Sequence, residues 1–289
     1  MMTISGKTQL CGVIGDPIGH TLSPVIHNAA FNHLKLDFVF LAFNVKAGDL
    51  ECAMHGMQGL GIRGLNVTMP HKIAITRYLD EADSTVKFLG SANTILNDDG
   101  KLSGYNTDGV GALQALRENG VNPTGKKVVL LGAGGAAKAI AYTLSKEAET
   151  LCILNRTPEK AAVLADALNR MSNKKVVGNL LTPSTIQTSL HNADVLINTT
   201  SVGMSPAVGN SLVAPQWLKP NLTVMDAVYN PVETKLAKDA KTAGAKVISG
   251  VEMLIYQGAA SFKIWTGHTA PVGVMRAAAL NNISKGANQ

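Results

Sequence analysis

The segment KKVVLLGAGGAAKAIAYTL, residues 126–144, constrains the fold more than any other part of the chain. An apolar strand, a glycine-rich turn and an alanine-rich helix follow one another, and Gly132, Gly134 and Ala137 fit the pattern G-x-G-x-x-G/A. In this order the three parts predict a dinucleotide-binding βαβ unit, in which a pyrophosphate approaches bare backbone at the start of the helix. The open alternative is a glycine turn that only lets the helix pack closely on the sheet.

The end of the next predicted strand, LCIL, indicates which dinucleotide binds. The strand runs into Asn155, Arg156 and Thr157, with Lys160 one turn further. NAD-binding proteins carry an acid about twenty residues after the glycines, which binds the ribose 2′-hydroxyl and would repel a 2′-phosphate. Two cations and two neutral hydrogen-bonding side chains suit a dianionic phosphate instead, so we predict NADP as the cofactor. Thr157 is also expected to be the N-cap of the following helix, with Pro158 at its first position.

The composition fits a globular protein of two domains. Apolar residues make up 46% of the 289 residues and charged residues 16%, which excludes a disordered chain, and domains of roughly 150 residues are common. The formal net charge of +6 suits anionic small molecules. The sequence contains no dense basic stripe with interleaved aromatic residues, so we do not expect nucleic acid as a partner.

Cysteine and histidine spacing argues against a metal site. Cys11, Cys52 and Cys152 lie far apart without CxxC spacing, so we expect no disulfide framework, no metal, and a buried thiol at Cys152. His20 and His27 show no ligand spacing and are expected to be structural. No apolar run is long enough to span a bilayer, and the N-terminal segment does not resemble a signal peptide. We therefore expect a cytoplasmic protein without a membrane partner, as a monomer or a homodimer.

The first third of the chain alternates predicted strands and helices, which is typical of an α/β domain with a largely parallel sheet. The strands are QLCGVIG, FVFLAFNV and RGLNVTM, followed by a hairpin in SANTILNDDGKLSGYN with its turn at DDG. We expect Ser23 to cap the helix SPVIHNAAFNHLKL, with Pro24 at its first position, and Pro70 to open a helix over HKIAITRYL.

A second βαβ series starts at the glycine-rich segment. Its predicted strands are KKVVLL, ETLCILN, KKVVGNL, ADVLINTT, LTVMDAVY and AKVISG, with helices between them. From Val251 the pattern becomes long, apolar and helical. We expect these last helices to pack back on the earlier domain.

Three polar clusters follow predicted strands of the first domain, where α/β folds form ligand sites. Lys72, in GLNVTMPHK, is predicted to lie in the first helical turn after Pro70. The positive end of the helix dipole disfavours a cation there, so the lysine should release its proton more easily, which helps proton transfer. Asp108, in GYNTDG, begins another helix and is a candidate carboxylate partner for that ammonium. Thr21 and Ser23 offer hydroxyls to a substrate carboxylate. The open alternatives are a solvated lysine and simple helix caps.

The order of short motifs along the chain resembles that of the shikimate dehydrogenases. The motifs are GDPIGHTLSPVIHNAAF, GLNVTMPHK, GSANT, GYNTDG, LGAGGAAKA, NRT, NTTSVGM, DAVYNP and GVEMLIYQGAASFKIWTG, and they cover essentially the whole chain. The resemblance implies a shikimate-binding α/β domain over residues 1–108, a Rossmann-type doubly wound NADP domain over 109–250, and C-terminal helices over 251–289 that return to the first domain. It also implies reversible NADPH-dependent reduction of 3-dehydroshikimate to shikimate, on the route to aromatic amino acids.

The resemblance also assigns roles by position. It implies that Lys72 is the catalytic acid/base and that Asp108 pairs with it and touches the ring hydroxyls. The implied substrate contacts are Thr68, Asn93 and Gln257 for hydroxyls, and Thr21, Ser23 and Tyr229 for the carboxylate. The implied cofactor contacts are Gly132, Ala133, Gly134, Gly135 and Ala136 for the pyrophosphate, Asn155, Arg156, Thr157 and Lys160 for the 2′-phosphate, and Ala227 and Gly250 near the nicotinamide. For the last two, a turn glycine and a buried alanine remain equally open.

One position departs from the family pattern, which usually has Ser-x-Ser where this chain has Thr21-Leu22-Ser23. Threonine keeps the hydroxyl and adds a methyl group with a stiffer χ1, so we expect carboxylate binding to survive, while the fit to quinate stays open. Three alternatives remain. The missing acid after the second strand disfavours a quinate/shikimate dehydrogenase that uses NAD. The presence of Lys72 and Asp108 disfavours a non-catalytic sensor. The carboxylate-binding and hydroxyl-binding clusters together disfavour another folate- or amino-acid-linked dehydrogenase.

Overall fold

The structure, a computed structural model, describes residues 4–171 and 175–286. The chain divides into two compact units, the first comprising the residues up to Thr107 and from Ile255 on, and the second comprising Asp108–Leu254. Each unit contains a six-stranded sheet with helices connecting its strands. The predicted α/β fold class is therefore confirmed.

The first unit has a mixed sheet, where a largely parallel one was expected. Its strands are β1 (Gln9–Gly15), β2 (Phe38–Asn44), β3 (Gly64–Val67), β4 (Glu81–Ala82), β5 (Thr94–Asp98) and β6 (Lys101–Tyr105), in the order β2-β1-β3-β5-β6-β4. Strands β1, β2 and β3 are parallel, but β5 is antiparallel to both β3 and β6. The predicted hairpin accounts for the antiparallel pairing of β5 with β6, because Asp99 (φ 50°) and Gly100 (φ 90°) form its two-residue turn.

The second unit has the strand order of a doubly wound dinucleotide-binding sheet. Its strands are β7 (Lys127–Leu131), β8 (Thr150–Asn155), β9 (Lys175–Leu180), β10 (Val195–Asn198), β11 (Thr223–Asp226) and β12 (Lys246–Ile248), all parallel, in the order β12-β11-β10-β7-β8-β9. The chain winds outward from β7 in one direction and then from β10 in the other. This reversal creates a crevice at the carboxyl ends of β7 and β10, where such sheets bind ligands. Lys174, predicted to start β9, lies outside the described residues.

The helices occupy the segments between the strands and the end of the chain. They are α1 (Ser23–Leu34), α2 (Leu50–Gly59), α3 (Ser84–Leu89), α4 (Asp108–Glu118), α5 (Gly135–Leu144), α6 (Pro158–Asn169), α7 (Pro183–His191), α8 (Lys235–Thr242), α9 (Gly250–Thr266) and α10 (Val272–Gly286). The predicted helix over residues 70–79 is wrong. Turns lead instead into a short 3₁₀-helix, Ala74–Tyr78, whose β-branched and aromatic residues have low helix propensity.

The start of α1 also differs from its prediction. Leu22 takes the N-cap position with helical dihedrals (φ −89°, ψ −4°), so Ser23 is the first helical residue and does not cap the helix. The Thr21 hydroxyl instead accepts a hydrogen bond from the Ser23 N–H at 3.2 Å. This local bond replaces the expected side-chain cap.

The C-terminal helices pack into the core of the first unit, as predicted. Trp265 of α9 is 2% exposed, and its indole N–H donates to the Ile95 carbonyl at 2.9 Å. Its ring lies over β3 at Gly64, where any added Cβ would collide with the indole. The fully buried His27 of α1 stacks on Phe40 with ring centroids 4.5 Å apart and also contacts Trp265.

Three further expectations concern membrane-spanning helices, metal-binding clusters and the cysteines. No helix within residues 4–171 and 175–286 is long and apolar enough to cross a membrane. Over the same ranges, no group of three or more His, Cys, Asp or Glu side chains could hold a metal ion. The three cysteines are free, and Cys152, expected to be buried, is only partly so: it packs against the core of the second unit, with its thiol 3.4 Å from the Ser189 hydroxyl.

Candidate functional site

The glycine-rich turn lies at the carboxyl end of β7, in the crevice of the second unit. Gly132 has φ +108°, and a Cβ on it would stand 2.6 Å from the Thr199 hydroxyl, so both its conformation and its surroundings require glycine. Gly134 and Gly135 are exposed, and a Cβ added to either would meet no neighbouring atom within 4 Å. The N-terminus of α5 therefore presents open backbone N–H groups, which is the arrangement that binds a pyrophosphate.

Asn155 connects this turn to the end of β8. Its side-chain oxygen accepts from the Ala133 N–H at 3.1 Å, and its side-chain nitrogen donates to the Thr157 carbonyl at 2.9 Å. Both ends of the carboxamide are thus used on backbone groups. The structure makes Asn155 a support for the loop, in addition to any contact it makes with a cofactor.

The side chains that follow Asn155 are placed for an anion. Arg156, Thr157 and Lys160 are exposed around the start of α6. Thr157 occupies the predicted N-cap position and Pro158 the first helical turn, but the Thr157 hydroxyl makes no capping bond. Hydroxyl and cations therefore face solvent beside helical N–H groups, and the set fits a 2′-phosphate better than a bare ribose hydroxyl.

In the first unit, Thr68 lies where β1 and β3 end side by side. The Thr68 N–H donates to the Ile14 carbonyl at 3.0 Å, and the Asp16 N–H donates to the Met69 carbonyl at 3.0 Å. Gly15 at the end of β1 leaves room for the Thr68 methyl group, which a Cβ there would overlap. The parallel pairing thus holds Thr68 at the carboxyl edge of the sheet.

Lys72 and Asn93 are joined through the backbone next to Thr68. The Ala92 N–H donates to the Lys72 carbonyl at 2.9 Å, and the Val67 N–H donates to the Asn93 carbonyl at 2.8 Å. The predicted catalytic residue Lys72 and the predicted substrate contacts Thr68 and Asn93 therefore belong to one small region. Lys72 is half-buried and lies in the turn before the 3₁₀-helix, so the helix-dipole argument for it does not hold, although its place at the sheet edge does.

A buried polar network surrounds Asn93. The Asn93 side-chain oxygen accepts from the Thr107 N–H at 2.8 Å and from the Thr94 hydroxyl at 3.0 Å. The hydroxyls of Thr94 and Ser261 are 2.7 Å apart, and the side-chain nitrogen of Asn66 reaches Ser261 at 3.1 Å. Gln257, the last predicted hydroxyl contact, lies one turn before Ser261 on α9, and its carbonyl is 3.2 Å from the Ser261 hydroxyl.

The two predicted carboxylate-binding hydroxyls of the first unit also lie together. Thr21 donates from its hydroxyl to the Ser23 hydroxyl at 3.2 Å. Thr21 lies just before α1 and Ser23 begins it, and His27, four residues after Ser23, lies against Gly258 of α9. Ser23 and His27 thus lie on one face of α1, and His27 lies against the residue that follows Gln257.

The remaining predicted residues belong to the second unit. Asp108 is buried (6% exposed) and begins α4, as predicted. Tyr229 is half-buried, and burial raises the pKa of its hydroxyl above the ordinary value. Gly250 is required by close packing, since a Cβ there would stand 2.6 Å from the Val228 carbonyl oxygen and 2.7 Å from that of Ala227.

Sequence reasoning missed a buried carboxylate that holds the Ala227–Tyr229 segment. Asp226 accepts from the Asn198 amide at 2.9 Å, from the Thr234 hydroxyl at 2.6 Å and from the Val228 N–H at 3.1 Å. Burial raises the pKa of Asp226 even though these bonds oppose the shift. The signal was a polar residue ending each of two neighbouring apolar strands, β10 and β11.

The Asn66, Thr94 and Ser261 network was missed for a similar reason. Asn66 lies within the apolar strand β3, Thr94 begins β5, and Ser261 lies four residues after Gln257 on one helical face. Each looks unremarkable alone. Only the pairing of β3 with β5 and the return of α9 bring them together.

Comparison with known proteins gives matches along the chain. Family models described as "Shikimate dehydrogenase substrate binding domain", "Shikimate / quinate 5-dehydrogenase" and "Shikimate 5'-dehydrogenase C-terminal domain" match residues 13–95, 114–236 and 250–280 respectively. The shikimate dehydrogenase (NADP(+)) of Moorella thermoacetica is 47% identical over 276 residues, which cover 95% of this chain and 94% of that protein.

Solved structures give the same picture. A shikimate dehydrogenase in complex with NADP+ superposes with a TM-score of 0.91 at 43% identity, covering 97% of this chain and 98% of its own. The enzyme from Listeria monocytogenes, solved with shikimate and NAD, has a TM-score of 0.90 at 36% identity, with 95% and 97% of the two chains covered.

Proposed function

The chain belongs to the shikimate dehydrogenase family and is an NADP-dependent oxidoreductase, and we propose that it catalyses the reversible reduction of 3-dehydroshikimate to shikimate. The observation that supports this reaction most is the clustering of Thr68, Lys72 and Asn93 at one edge of the first sheet. A cation and neutral hydrogen-bonding groups side by side suit a polyhydroxylated ring with a reacting carbonyl.

We propose that the first unit binds the substrate and the second binds NADP, the last helices completing the first unit. Thr68, Asn93, Gln257 and Asp108 would contact ring hydroxyls. Thr21, Ser23 and Tyr229 would hold the carboxylate, for which paired hydroxyls at a helix start and a tyrosine hydroxyl are suitable donors.

The proposed proton transfer assigns one task to each charged residue. When bound, NADPH supplies the hydride for the carbonyl carbon. The Lys72 ammonium donates its proton to the oxygen of the substrate as that oxygen gains charge, and in the reverse direction the amine takes the proton from the hydroxyl. Asp108 orients and stabilises the charged form of Lys72, so that the two act as one acid/base unit.

We propose that the cofactor is held by the open turn and by the residues after β8. Gly132, Ala133, Gly134, Gly135 and Ala136 would bind the pyrophosphate, and Arg156, Thr157, Lys160 and Asn155 the 2′-phosphate. Ala227 and Gly250 would lie along the nicotinamide, where a small side chain and a glycine leave room for a flat ring.

The experiment compares Lys72→Ala, Asp108→Asn and the double variant with 3-dehydroshikimate and NADPH. Lys72→Ala should lower kcat by about 10²-fold or more and change KM for the substrate much less, because general acid catalysis acts in the transition state. If the two residues act as a unit, the double variant should be no slower than Lys72→Ala alone. Lys87→Ala, an exposed lysine on α3, is the matched control and should leave kcat unchanged. A large rise in KM at normal kcat for Lys72→Ala would contradict the assignment.

A further inference from the structure

The orientation of the Asn93 carboxamide is fixed by a donor that cannot reverse. The Thr107 backbone N–H can only donate, and it lies 2.8 Å from the Asn93 side-chain atom, which must therefore be the oxygen. The Asn93 nitrogen is then the opposite end of the group, and it donates to the Thr107 hydroxyl at 3.0 Å. The end of Asn93 that can donate to a ligand is determined by its protein partners.

The Thr94 and Ser261 hydroxyls extend this order. Since Asn93 presents an oxygen, Thr94 must use its one proton to donate to Asn93, at 3.0 Å. The Ser261 hydroxyl has one proton, which either Thr94 at 2.7 Å or the Gln257 carbonyl at 3.2 Å could accept, and we assign the proton to the shorter contact with Thr94. The chain of donation thus runs from Ser261 of α9, through Thr94 of β5, to the oxygen of Asn93.

Asn66 reinforces the direction. Its side-chain nitrogen faces the Asn93 backbone carbonyl at 3.2 Å and can only donate there, and its two N–H groups are shared among that carbonyl, the Thr94 hydroxyl at 3.2 Å and the Ser261 hydroxyl at 3.1 Å. The hydroxyls of Thr94 and Ser261 therefore accept hydrogen bonds from Asn66. Ser261 donates its own proton to Thr94, and Thr94 donates to Asn93. Asn66, Asn93 and Thr94 are each at most 6% exposed and Ser261 is 0% exposed, so water does not compete for these bonds.

We infer that Thr94 and Ser261 are positioning residues for recognition of a substrate hydroxyl. They hold Asn93 so that its nitrogen, and not its oxygen, points to the ligand, and they tie Asn93 to the helix that carries Gln257. The inference rests on the proposed function, in which Asn93 and Gln257 contact ring hydroxyls. Its chemical consequence is selection of a ligand whose hydroxyl oxygen accepts a hydrogen bond at that point.

The test uses Thr94→Val, which keeps the shape of the side chain and removes its hydroxyl. The side-chain oxygen of Asn93 then loses one of its donors and the carboxamide is held less firmly. We expect KM for shikimate to rise about tenfold, with kcat changed by less than about threefold and KM for NADP unchanged, which is the pattern for lost uniform binding. Thr94→Ser restores the hydroxyl and should restore KM, and Ser261→Ala should act in the same direction as Thr94→Val.

A control separates positioning from general stability. Asn97 lies on the same strand, is buried, and bonds the Met57 carbonyl and the Gly100 N–H away from this network. Asn97→Ala should lower Tm without changing KM for shikimate. If wild-type protein turns over shikimate with NADP while folded Thr94→Val and Ser261→Ala keep its KM, the inference is wrong. If the wild type does not turn over shikimate at all, the proposed function fails, and this inference with it.

Discussion

The side-chain oxygen of Asn155 accepts a hydrogen bond from the backbone N–H of Ala133 at 3.1 Å. Asn155 stands at the end of β8, where NAD-binding proteins carry an acid, and it therefore supports the glycine-rich loop to which we assign the pyrophosphate. A neutral carboxamide supports the loop without placing a negative charge beside a 2′-phosphate. We therefore expect Asn155 to influence both the geometry of this loop and the choice of cofactor.

Asn155→Asp should shift preference from NADP towards NAD. The carboxylate can still accept from Ala133, so the loop keeps its support, but the new charge repels the 2′-phosphate and can accept from a ribose hydroxyl. We expect the ratio of kcat/KM for NADP over NAD to fall by about 10–100-fold, equivalent to roughly 1.4–2.8 kcal/mol. Asn155→Ala, which removes the support, should weaken both cofactors, and equal weakening by Asp and Ala would contradict this interpretation.

Arg156→Ala should weaken NADP and spare NAD. Arg156 is exposed at the start of α6 and its guanidinium suits a phosphate. Titration of binding with each cofactor should show NADP affinity falling about tenfold or more, with NAD affinity within about twofold of wild type. Arg170→Ala, an exposed arginine at the other end of α6, is the control and should change neither. Parallel losses for both cofactors would contradict a 2′-phosphate contact.

Two glycines of the turn should respond differently to alanine. Gly134 has ordinary dihedrals (φ −78°, ψ −170°) and open space, so Gly134→Ala should leave Tm nearly unchanged while its methyl group obstructs the pyrophosphate and raises KM for NADP. Gly132→Ala should also lower the free energy of unfolding by about 1–3 kcal/mol, because alanine would be strained at the positive φ of this position and its Cβ would collide with the Thr199 hydroxyl. Thermal unfolding without cofactor and NADP titration separate the two effects. An unchanged NADP affinity in Gly134→Ala would place the pyrophosphate elsewhere.

Local signals predicted this second unit well, whereas the first unit was harder. The glycine pattern, the strand ends and the Thr157 cap position are all set by residues close in sequence. The segment after Pro70 was predicted as a helix because its pattern does not distinguish an α-helix from turns followed by a five-residue 3₁₀-helix, Ala74–Tyr78. Ser23 was expected to cap α1, but it is the first helical residue, and its own N–H donates to the Thr21 hydroxyl.

The candidate site residues were named one by one from the sequence, but their arrangement could not be predicted from it. Thr68, Lys72 and Asn93 were named from motifs, and the structure links their neighbours through the pairing of β3 and β5. Ser261 carries no local signal, and the signal for Asp226 is only a polar residue at the end of an apolar strand, because partners 167 and 28 residues away in sequence give these side chains their importance. Such long-range polar networks arise from strand order and from the return of the last helices.

Acid should destabilise the protein through His27. Burial lowers the pKa of His27 from 6.5 to about 3, and neither ring nitrogen has a hydrogen-bond partner among the described residues. Between these values the unfolded chain binds a proton that the folded protein does not, so stability is full above about pH 6.5 and falls as the pH drops towards 3. The slope attributable to this group approaches about 1.4 kcal/mol per pH unit.

His27→Phe tests this slope. Phenylalanine can occupy the aromatic cluster of Phe40 and Trp265 without titrating, so the variant should lose less of its free energy of unfolding between pH 7 and pH 5 than the wild type. Urea unfolding at several pH values measures the difference. His33→Gln, at an exposed position of the same helix, should keep the wild-type slope. The same slope in wild type and His27→Phe would show that other groups govern acid sensitivity.

The most direct measurement follows NADPH formation or NADH formation by absorbance, with shikimate or quinate as substrate and NADP or NAD as cofactor. Turnover with shikimate and NADP, at a kcat/KM well above that of the other three combinations, is the predicted result. It would support the substrate pocket and the 2′-phosphate site together. Preferential turnover of quinate with NAD, or no turnover in any combination by protein that still binds shikimate, would contradict the account.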